Sequence, residues 1–452
     1  MEVCAIVLAA GQGSRMLSDR PKVLHELAGA PLLVHALKSA GALVPSVTVV
    51  VTGVGGEVVA AAAQAWDPDV ACVRQEEQLG TGHAVLQAKA ALEGHDGDVV
   101  VLYGDTPFIR PETLDAMQDA RSTHDIVVLG FEVADPTARY GRLVTEGEDL
   151  VEIVEFKDAS ADVRKISLCN SGVVYADKDL MFDLLEAVTN DNASGEYYLT
   201  DIVAIARQRG HNATVVHASH AETMGINTRH ELARAEAAFQ DAARMEALDD
   251  GVTLIAPETV IFAHDTVIGR DALIEPNVVF APGVTVESGA RIRAFSHLEG
   301  CHVGRNAVVG PYARLRPGAE LASAVKIGNF VEVKNAQIER GAKVNHLTYI
   351  GDASIGEGSN IGAGTVTCNY DGVFKHRTVI GRNVFVGSNT MLVAPVEMGD
   401  DSMSATGTIV TQDVPAGDLA IARPKQTNKS GLARRMFEKL KATKEALQGG
   451  AQ

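Results

Sequence analysis

The chain has 452 residues, of which 46% are hydrophobic, 22% charged and 5% aromatic, a globular balance at a length that suits two large domains. Its formal net charge of −18 argues against a nucleic-acid partner, because phosphate backbones are bound by clustered cations. The sequence lacks a run of about 18 apolar residues, so it predicts no membrane span. Five scattered cysteines without a C-x-x-C pair predict reduced thiols in a cytoplasmic protein, with neither a disulfide framework nor a zinc site.

The first half of the chain alternates strand-like and helix-like segments. Apolar runs predict strands at 4–10, 47–52, 99–103, 126–131 and 173–175. Helical patterns lie at 31–40, 81–92 and 112–121. This alternation predicts βαβ units and a mostly parallel sheet covered on both faces, so residues 1–228 are expected to form an α/β domain.

A helix without Gly or Pro is predicted next, at residues 229–248, where Ala, Glu and Arg dominate. Asp249-Asp250-Gly251 ends it. We interpret residues 229–250 as an exposed linker helix between two domains.

The second half is organised by a period of six residues. Apolar side chains recur at Phe262, Ile268, Ile274, Phe280, Val286, Ile292 and Leu298. After a five-residue step the period resumes at Val303. Neither an α-helix, with a period of 3.6, nor an alternating strand, with a period of 2, explains this spacing. A coil of short parallel strands does, so the pattern predicts a parallel β-helix within residues 251–452.

The tail from residue 425 leaves this period and carries seven Lys or Arg against two Glu. Residues 430–447 predict an amphipathic helix. Two interpretations stay open for the tail: a solvated terminus, or a basic flap over an anionic ligand.

A glycine-rich turn follows the first predicted strand, with the sequence Gly11-Gln12-Gly13-Ser14-Arg15-Met16. Such a turn lets backbone N–H groups approach a phosphate, and the start of the following helix adds positive potential. It matches neither the Walker motif, which needs Gly-Lys-Ser or Gly-Lys-Thr, nor the dinucleotide fingerprint. A bare tight turn is the alternative, but the cations Arg15 and Lys22 beside it favour a phosphate site.

Two further segments offer groups that could bind a nucleotide. Gly80-Thr81-Gly82 opens a predicted helix, where backbone donors could bind phosphate or Thr81 could act only as a helix cap. Tyr103-Gly104-Asp105 stands at the carboxyl end of a strand, where ligands bind in open α/β sheets. Asp105 either starts the next turn or holds a Mg²⁺ ion that bridges phosphate oxygens.

These segments together resemble the sugar-nucleotide pyrophosphorylases, whose signature stands here as residues 8–16 followed by Pro21-Lys22. Further motifs resemble the bacterial bifunctional family of N-acetylglucosamine-1-phosphate uridylyltransferases/glucosamine-1-phosphate acetyltransferases. They are Gln75, residues 79–83, Tyr140-Gly141-Arg142, Glu155-Phe156-Lys157-Asp158, Asn170-Ser171-Gly172, residues 195–198, Thr200-Asp201 and Gly225-Ile226-Asn227. The resemblance covers residues 3 to about 428. It implies a Rossmann-like nucleotidyltransferase domain and a left-handed parallel β-helix of hexapeptide repeats.

For the first domain the resemblance implies uridylyl transfer from UTP, by in-line attack of N-acetylglucosamine-1-phosphate on the α-phosphorus. The residues implied to contact the nucleotide are Leu8, Ala9, Ala10, Gly11, Gln75, Gly80, Thr81, Tyr103 and Gly104. Arg15 and Lys22 would stabilise the phosphates, and Asp105 and Asn227 would ligate Mg²⁺. The sugar would be held by Gly141, Glu155 and Asn170. Such catalysis needs positioning and charge neutralisation rather than a covalent nucleophile.

The six-residue pattern contains charged and polar residues at a few positions where a purely structural coil would not need them. Arg316, Lys334 and Asp352 follow one another at 18-residue intervals, so they are expected to stack on successive coils. His346 is either an exposed polar residue or a catalytic base, and the neighbouring Arg316, Lys334 and Tyr349 favour a base. Residues 369–375 interrupt the repeats as an inserted loop, and such loops often lie on the binding face of a solenoid.

For the second domain the resemblance implies acetyl transfer from acetyl-CoA to glucosamine-1-phosphate. His346 would be the general base, with Glu332 orienting it, and an ordinary His pKa of ~6.5 suits that role. Arg316 and Lys334 would clamp the sugar phosphate. The sugar would contact Tyr349 and Asn360. Acetyl-CoA would contact Ala363, Asn369, Tyr370, Ser388, Thr406 and Arg423.

Two positions depart from the family pattern. Thr406 stands where the family often has Ala, which would change packing against the pantetheine while sparing a backbone contact. Phe156 replaces a residue that is often polar.

Two other functions fit part of the pattern. A single-activity sugar nucleotidyltransferase would use the coil for regulation or assembly, but His346 and Asn369-Tyr370 argue against it. A non-enzymatic nucleotide-exchange subunit would not need the cations and the carboxylate of the first domain. The preferred prediction is a bifunctional enzyme that makes UDP-N-acetylglucosamine from small-molecule substrates, with Mg²⁺ as cofactor and without a nucleic-acid or membrane partner.

A homotrimer is also predicted. Tyr370 and Phe374 lie on the inserted loop, where a monomer would leave both large side chains exposed. A closed ring of parallel coils would let each loop pack against the next chain.

Overall fold

The computed structural model describes residues 2–449, and the chain divides into two compact units. The first comprises the residues up to Glu246 together with Phe262–Thr266. The second comprises Ala247–Ile261 and the chain from Val267 onward. Each unit has its own main sheet.

The first unit is built on a mixed sheet. Its strands are β1 Val3–Ala9, β2 Glu26–Leu27, β3 Ala30–Pro31, β4 Val47–Thr52, β5 Ala71–Arg74, β6 Asp98–Tyr103, β7 Ile126–Glu132, β8 Arg142–Glu146, β9 Asp149–Val154, β10 Leu168–Asp177 and β11 Ala213–Ala218. Nine of them form one sheet in the order β5-β4-β1-β6-β10-β7-β11-β9-β8, while β2 and β3 pair separately. β1 is parallel to β4 and β6, whereas β10 is antiparallel to both its neighbours. The predicted α/β class is confirmed.

The helices of this unit alternate with the strands. They are α1 Leu32–Gly41, α2 Glu57–Trp66, α3 Thr81–Leu86, α4 Pro111–Ala120, α5 Lys178–Glu186, α6 Ile202–Gln208 and α7 Arg229–Asp249. Short 3₁₀ turns lie at Ser14–Met16, Lys22–Leu24, Lys89–Leu92, Val163–Lys165 and Leu199–Asp201. The single helix predicted at 81–92 is wrong in extent, because α3 ends at Leu86 and a 3₁₀ turn follows. The sequence analysis missed β5, β8, β9, β11, α2, α5 and α6.

β1 illustrates why this sheet is buried on both faces. All seven of its residues are buried. Its even-numbered residues pack with α3, α5 and α6 in one apolar layer, and its odd-numbered residues pack with α1, α2 and α4 in the other. With both faces covered, a ligand can reach this sheet only at the strand ends.

The helix α7 is mostly exposed, as predicted, but it buries Ala235 and Gln240. The Gln240 amide donates from Nε2 to the Phe262 carbonyl at 2.7 Å, and its Oε1 accepts from the Phe262 N–H at 2.8 Å. This pair of bonds explains why Phe262–Thr266 belongs to the first unit.

The second unit is a stack of short parallel strands. Its strands are β12 Thr253–Leu254, β13 Val267–Ile268, β14 Leu273–Ile274, β15 Val279–Phe280, β16 Val284–Val286, β17 Arg291–Ile292, β18 His297–Leu298, β19 Cys301–Val303, β20 Val308–Val309, β21 Arg314–Leu315, β22 Ala319–Leu321, β23 Lys326–Ile338, β24 Lys343–Ile355, β25 Asn360–Ile361, β26 Val366–Cys368, β27 Thr378–Ile380, β28 Phe385–Val386, β29 Met391–Val393, β30 Val396–Met398, β31 Met403–Ser404, β32 Ile409–Val410 and β33 Leu419–Ala420. A 3₁₀ turn at Pro257–Thr259 precedes β13, and α8, Leu432–Gly449, follows the last strand.

The register of these strands confirms a parallel β-helix. Ile274 lies beside Ile292, which lies beside Val309, and Val309 lies beside Ile327. All four side chains are buried, because each fills the interior of the coil at the same angular position. The period of six in the sequence is therefore the spacing of inward residues along the coil.

The coils differ in length, which corrects one predicted stack. Between β21 and β23 the partners are 18 residues apart, as in Leu315 and Val333. Between β23 and β24 they are 17 apart, and Lys334 lies beside Gly351. Asp352 therefore lies beside Asn335, whose Nδ2 donates to its Oδ1 at 2.6 Å, and the predicted stacking of Asp352 on Lys334 is wrong.

The predicted tail helix is confirmed as α8. Its apolar residues Met436, Phe437, Leu440 and Leu447 are exposed. Residues 450–452 of the predicted tail lie outside the described residues, and contact between the tail and an anionic ligand stays a prediction. No helix of the described chain is long and apolar enough to cross a membrane.

Candidate active sites

A cavity of about 360 Å³ opens at the carboxyl ends of β1 and β6. Among the residues that line it are ten that the sequence analysis proposed for substrate: Leu8, Ala9, Ala10, Gly11, Lys22, Gln75, Gly80, Thr81, Tyr103 and Asp105. Gly104 continues this edge by donating its N–H to the Leu8 carbonyl at 2.9 Å. The chain brings these residues together because β1 and β6 are neighbours in the sheet although about 95 residues separate them.

The glycine-rich turn is fitted closely against Lys22. Gly13 has a φ of 63°, and a Cβ atom there would lie 2.5 Å from the Cβ of Lys22. Only glycine suits this position, because it combines a left-handed backbone with a close approach. Arg15 follows on an exposed turn and does not line the cavity.

The loop before α3 closes another side of the cavity. Gly80, not Thr81, occupies the N-cap position of α3, with a φ of 116° and without a side-chain cap. The predicted capping role of Thr81 is therefore wrong; its hydroxyl accepts instead from the Leu199 N–H at 3.0 Å. Gln75 is buried and donates from Nε2 to the Gly80 carbonyl at 3.1 Å, which holds the loop in place.

Four residues that line this cavity were not proposed from the sequence: the apolar Val23 and Ala84, and the polar Gln78 and Glu196. The Gln78 amide donates to the Ala10 carbonyl at 2.5 Å, and Glu196 lies on the cavity wall. Both stand inside or beside motifs that carried the resemblance. No spacing or motif in the sequence distinguished these residues from their neighbours as site residues.

The candidate metal ligands Asp105 and Asn227 converge on one cation, the ammonium group of Lys22. Lys22 forms a salt bridge with Asp105 and donates to Oδ1 of Asn227 at 2.9 Å. One carboxylate and one amide oxygen are ligands that Mg²⁺ accepts, so the donor set fits this ion. Within residues 2–449 no cluster of three His, Cys, Asp or Glu side chains could hold a metal by itself. A metal at Asp105 would need further oxygens, from substrate or water, to complete its coordination.

The first turn of α7 positions this pair of ligands. Thr228 and Glu231 form a capping box, with Glu231 N–H donating to Thr228 Oγ1 at 3.2 Å and Thr228 N–H donating to Glu231 Oε2 at 2.9 Å. The same carboxylate oxygen accepts from the Asn227 N–H at 2.7 Å. The start of the helix thereby places the Asn227 side chain beside Lys22.

Arg229 connects the same turn of α7 to the glycine-rich segment. Its guanidinium donates from Nε to the Met16 carbonyl at 3.3 Å and lies 3.2 Å from Nδ1 of His25. Burial, and then the nearby Arg229 charge, lower the pKa of His25, so a neutral imidazole accepts this bond. The first turn of α7 thus contacts the glycine-rich segment as well as the loop that carries Asn227.

A second cavity, of about 500 Å³, lies beside the first and shares Glu196 with it. The predicted sugar residue Glu155 lines it, and burial raises the pKa of this carboxyl while a bond from Thr200 at 3.4 Å partly opposes the shift. Gly141 accepts from the Asn170 N–H at 2.9 Å. A Cβ on Gly141 would lie 3.4 Å from Oε1 of Glu155, so the three predicted sugar residues are grouped.

Arg142 is buried near this second cavity and holds the adjacent backbone through hydrogen bonds. It is only 1% exposed, and its guanidinium donates to the carbonyls of Tyr140, Ala138 and Pro136 at 2.6, 2.9 and 3.2 Å. The guanidinium carbon also lies 5.7 Å from the centre of the Phe156 ring, and that of Arg164 lies 4.7 Å from it. Phe156 therefore serves as an aromatic partner for two cations, which an ordinary polar residue would not do.

In the second unit, the imidazole of His346 is held by a neighbouring coil. Its Nδ1 lies 2.8 Å from Oδ1 of Asn329. Because that oxygen can only accept, Nδ1 donates to it, and in a neutral imidazole the lone pair would then be on Nε2. The Glu332 carboxylate instead accepts from Arg316 at 2.8 Å, and its role in orienting His346 stays a prediction.

Three cations gather near this imidazole's coil. The ammonium of Lys375, and next the guanidinium of Arg316, lower the pKa of Lys334 because like charges oppose its protonation. Lys375 stands at the end of the inserted loop and was missed as a site residue. This cluster of cations, in which Arg316 also pairs with Glu332, is suited to binding a phosphate group.

A cavity of about 460 Å³ lies on the same side of the β-helix. The predicted sugar residue Tyr349 lines it together with Glu332, which is its neighbour in the register of β23 and β24. Asn360 lies one coil later than Lys343 and is half-buried.

The residues proposed for acetyl-CoA are divided between a column and the inserted loop. Ala363, Ser388 and Thr406 follow each other on successive coils, two residues beyond the paired positions of β25, β28 and β31. Arg423 donates to the Thr406 carbonyl at 2.5 Å and extends this column. On the loop, buried Asn369 bonds to Asp352, while Tyr370 is 61% exposed.

Models of protein families match both halves of the chain. The MobA-like NTP transferase domain matches residues 5–142. The bacterial transferase hexapeptide model, of six repeats, matches residues 265–300. The hexapeptide repeat of succinyl-transferase matches residues 377–412.

Relatives match over nearly the whole length. The bifunctional protein GlmU of Ruegeria sp. (strain TM1040) is 64% identical over 446 residues, which cover 99% of each chain. That of Ruegeria pomeroyi is 65% identical over 448 residues, again 99% of each chain. That of Roseobacter denitrificans is 61% identical over 451 residues, 100% of each chain.

The two folds and these matches define a two-domain transferase that combines an NTP transferase domain with a hexapeptide-repeat acyltransferase domain. The chain belongs to the bifunctional GlmU family. The predicted bifunctional enzyme is thereby confirmed, and neither the single-activity nor the non-enzymatic alternative is supported.

Proposed function

We propose that residues 1–228 transfer uridylyl from UTP to N-acetylglucosamine-1-phosphate, and that residues 251–452 acetylate glucosamine-1-phosphate beforehand. The joint product is UDP-N-acetylglucosamine, a precursor of peptidoglycan and lipopolysaccharide. The observation that carries the proposal is the meeting of Lys22, Asp105 and Asn227 at the mouth of the first cavity. It supports the proposal because a cation and two oxygen ligands would then face the phosphates of a bound nucleotide.

Uridylyl transfer would depend on positioning and charge. Backbone N–H groups of the glycine-rich turn and the Lys22 ammonium would hold the phosphates, while Glu155 and Asn170 would orient the sugar. Mg²⁺, held by Asp105 and Asn227, would neutralise phosphate charge and help pyrophosphate to leave. No covalent intermediate with the protein is required.

Acetyl transfer would use His346 as the base. Its Nε2 would take the proton from the sugar's amino group as that nitrogen attacks the thioester carbon of acetyl-CoA, and the CoA thiolate would leave. Arg316, Lys334 and Lys375 would bind the sugar phosphate and fix the amine near the imidazole. Asn329 supports this assignment because it keeps the proton on Nδ1.

We also propose that the enzyme is a cytoplasmic homotrimer. Three aromatic rings, Phe295, Tyr312 and Phe330, stack on the outside of the β-helix with centroids 5.0 and 5.3 Å apart. Leu347 continues the row and is 64% exposed. An apolar row of this kind supports contact with another chain. The five free cysteines agree with a reducing compartment.

The proposal is tested by assaying both half-reactions on the purified protein. One assay follows pyrophosphate release from UTP and N-acetylglucosamine-1-phosphate, and the other follows thiol release from acetyl-CoA and glucosamine-1-phosphate. Both are expected. Release of pyrophosphate only with a different sugar phosphate, or no thiol release, would contradict the assigned substrates.

A further inference from the structure

The Lys22 ammonium binds the same two side chains that the proposed function assigns to Mg²⁺. It pairs with the carboxylate of Asp105 and lies 2.9 Å from Oδ1 of Asn227. The side chains of Lys22 and Asp105 are only 12% and 16% exposed, so water screens this pair weakly. Neutralising the Asp105 charge is therefore the task of Lys22 as long as no other cation is present.

A divalent ion cannot join this arrangement without changing it. Mg²⁺ bound between Asp105 and Asn227 would stand within hydrogen-bonding distance of a second positive charge, and the repulsion between two such cations is strong at a largely buried site. Either the ion stays out or the ammonium leaves.

Only the outer part of the Lys22 side chain is free to move away from Asp105. Its Cβ is confined by Gly13, where even one added carbon would lie 2.5 Å away. The same side chain lines the nucleotide cavity, so rotation about its outer bonds would carry the ammonium from Asp105 into that cavity. A triphosphate in the cavity would supply the anionic partner that Lys22 gives up.

We propose that Lys22 is an exchangeable counter-ion that keeps the metal ligands occupied until nucleotide and metal arrive together. The inference rests on the proposed metal-nucleotide site and adds a coupling to it. Metal alone binds weakly because it must displace Lys22 into an empty cavity, whereas phosphates take up the displaced charge. By linkage, the nucleotide strengthens metal binding by the same factor by which the metal strengthens nucleotide binding.

The test measures direct binding of Mn²⁺ to the full-length protein without nucleotide. The electron paramagnetic resonance signal of the free ion reports how much Mn²⁺ remains unbound. Lys22→Met and Lys22→Gln remove the charge at similar length, and Lys22→Arg keeps a charge. Lys165→Met is the matched control, because Lys165 is 73% exposed and pairs with Asp162 on the surface of the same unit. We expect both neutral variants to bind Mn²⁺ about tenfold more tightly than the wild type. The Lys22→Arg and Lys165→Met variants should bind it as the wild type does.

A double variant locates the ion. Lys22→Met combined with Asp105→Asn should lose the gain in Mn²⁺ affinity. If the neutral variants bind Mn²⁺ no more tightly than the wild type, or if the double variant keeps the gain, Lys22 is not the competing cation. The measurement needs neither UTP nor a sugar phosphate, so its result does not depend on whether the substrates are correctly assigned. If the enzyme shows the proposed activity but its neutral Lys22 variants bind Mn²⁺ as the wild type does, only the counter-ion role of Lys22 is rejected.

Discussion

His346 and Asn329 stand on adjacent coils with Nδ1 and Oδ1 2.8 Å apart, and this bond decides which imidazole nitrogen is free to act as a base. Replacing Asn329 by Ala should lower the kcat of acetyl transfer by about tenfold to a hundredfold, since the ring loses its fixed tautomer and orientation. Uridylyl transfer should not change. Asn383→Ala is the control, because Asn383 also bonds across coils, to Asp401 at 3.2 Å. Equal kcat values for both variants would remove Asn329 from the mechanism.

The two activities should separate completely. Asp105→Asn is expected to reduce uridylyl transfer by about a hundredfold or more and to spare acetyl transfer, because the candidate metal ligand is lost. His346→Ala is expected to reduce acetyl transfer by about a hundredfold and to spare uridylyl transfer. Initial rates of both reactions on each variant provide the measurement. A folded variant that lost both activities would be incompatible with two independent sites.

Asp201 should make the first unit less stable above about pH 6. Burial, and then the charges of Asp158 and Glu152, raise the pKa of Asp201 from 3.8 to about 6. The folded state therefore favours the protonated carboxyl, and stability falls as pH rises from the unfolded pKa to the folded one. Asp201→Asn should raise Tm at pH 8, and the gain should shrink at pH values below 6. Asp162→Asn, at a side chain that is 90% exposed, should leave Tm unchanged at both.

Arg142 should be essential for the stability of the first unit. Arg142→Met would leave three part-buried backbone carbonyls without their donor, at a cost of about 3 kcal/mol in all. Trp66, the chain's single tryptophan, lies in α2 and reports unfolding of this unit by fluorescence in urea. Arg139→Met, at an exposed neighbouring position, is the control. Similar unfolding midpoints for both variants would show that the guanidinium is dispensable.

Mixed trimers should recover acetyl transfer. Chains with His346→Ala lack the base, and chains that lack residues 369–375 lack the loop with Tyr370, which is 61% exposed in a single chain. If each site combines His346 of one chain with the loop of another, unfolding and refolding the two inactive variants together should restore part of the activity. A mixture as inactive as its components, or an active protein with the sedimentation mass of one chain, would reject the shared site.

Much of this molecule could be predicted because its patterns are local. The period of six reports inward residues such as Ile274 and Ile292, whose burial does not depend on distant parts of the chain. The runs of β1 and β6 are continuous because helices cover both faces of the sheet. The hairpin of β8 and β9 was missed since charged residues interrupt its alternation at the sheet edge.

The partners of individual site residues depend on coil length, which composition does not reveal. A five-residue step from Val333 to Ile338 shortens one coil to 17 residues, and this pairs His346 with Asn329. Counting by 18 would have placed residue 328 there instead. Glu332 pairs with Arg316 for a different reason, since both lie on one face near the end of β21. Contacts of this kind follow from the register and not from the residue types.

The column of Ala363, Ser388 and Thr406 is spaced by one coil per residue, so the β-helix sets the distances along it. Neighbouring strands are about 4.8 Å apart, so the column extends roughly 10 Å along the axis. Adding one complete coil would lengthen it by a single step, whereas a residue added in a turn between strands would leave the step unchanged, as the coils of 17 and 18 residues do. The length of this column can therefore change only in whole-coil increments.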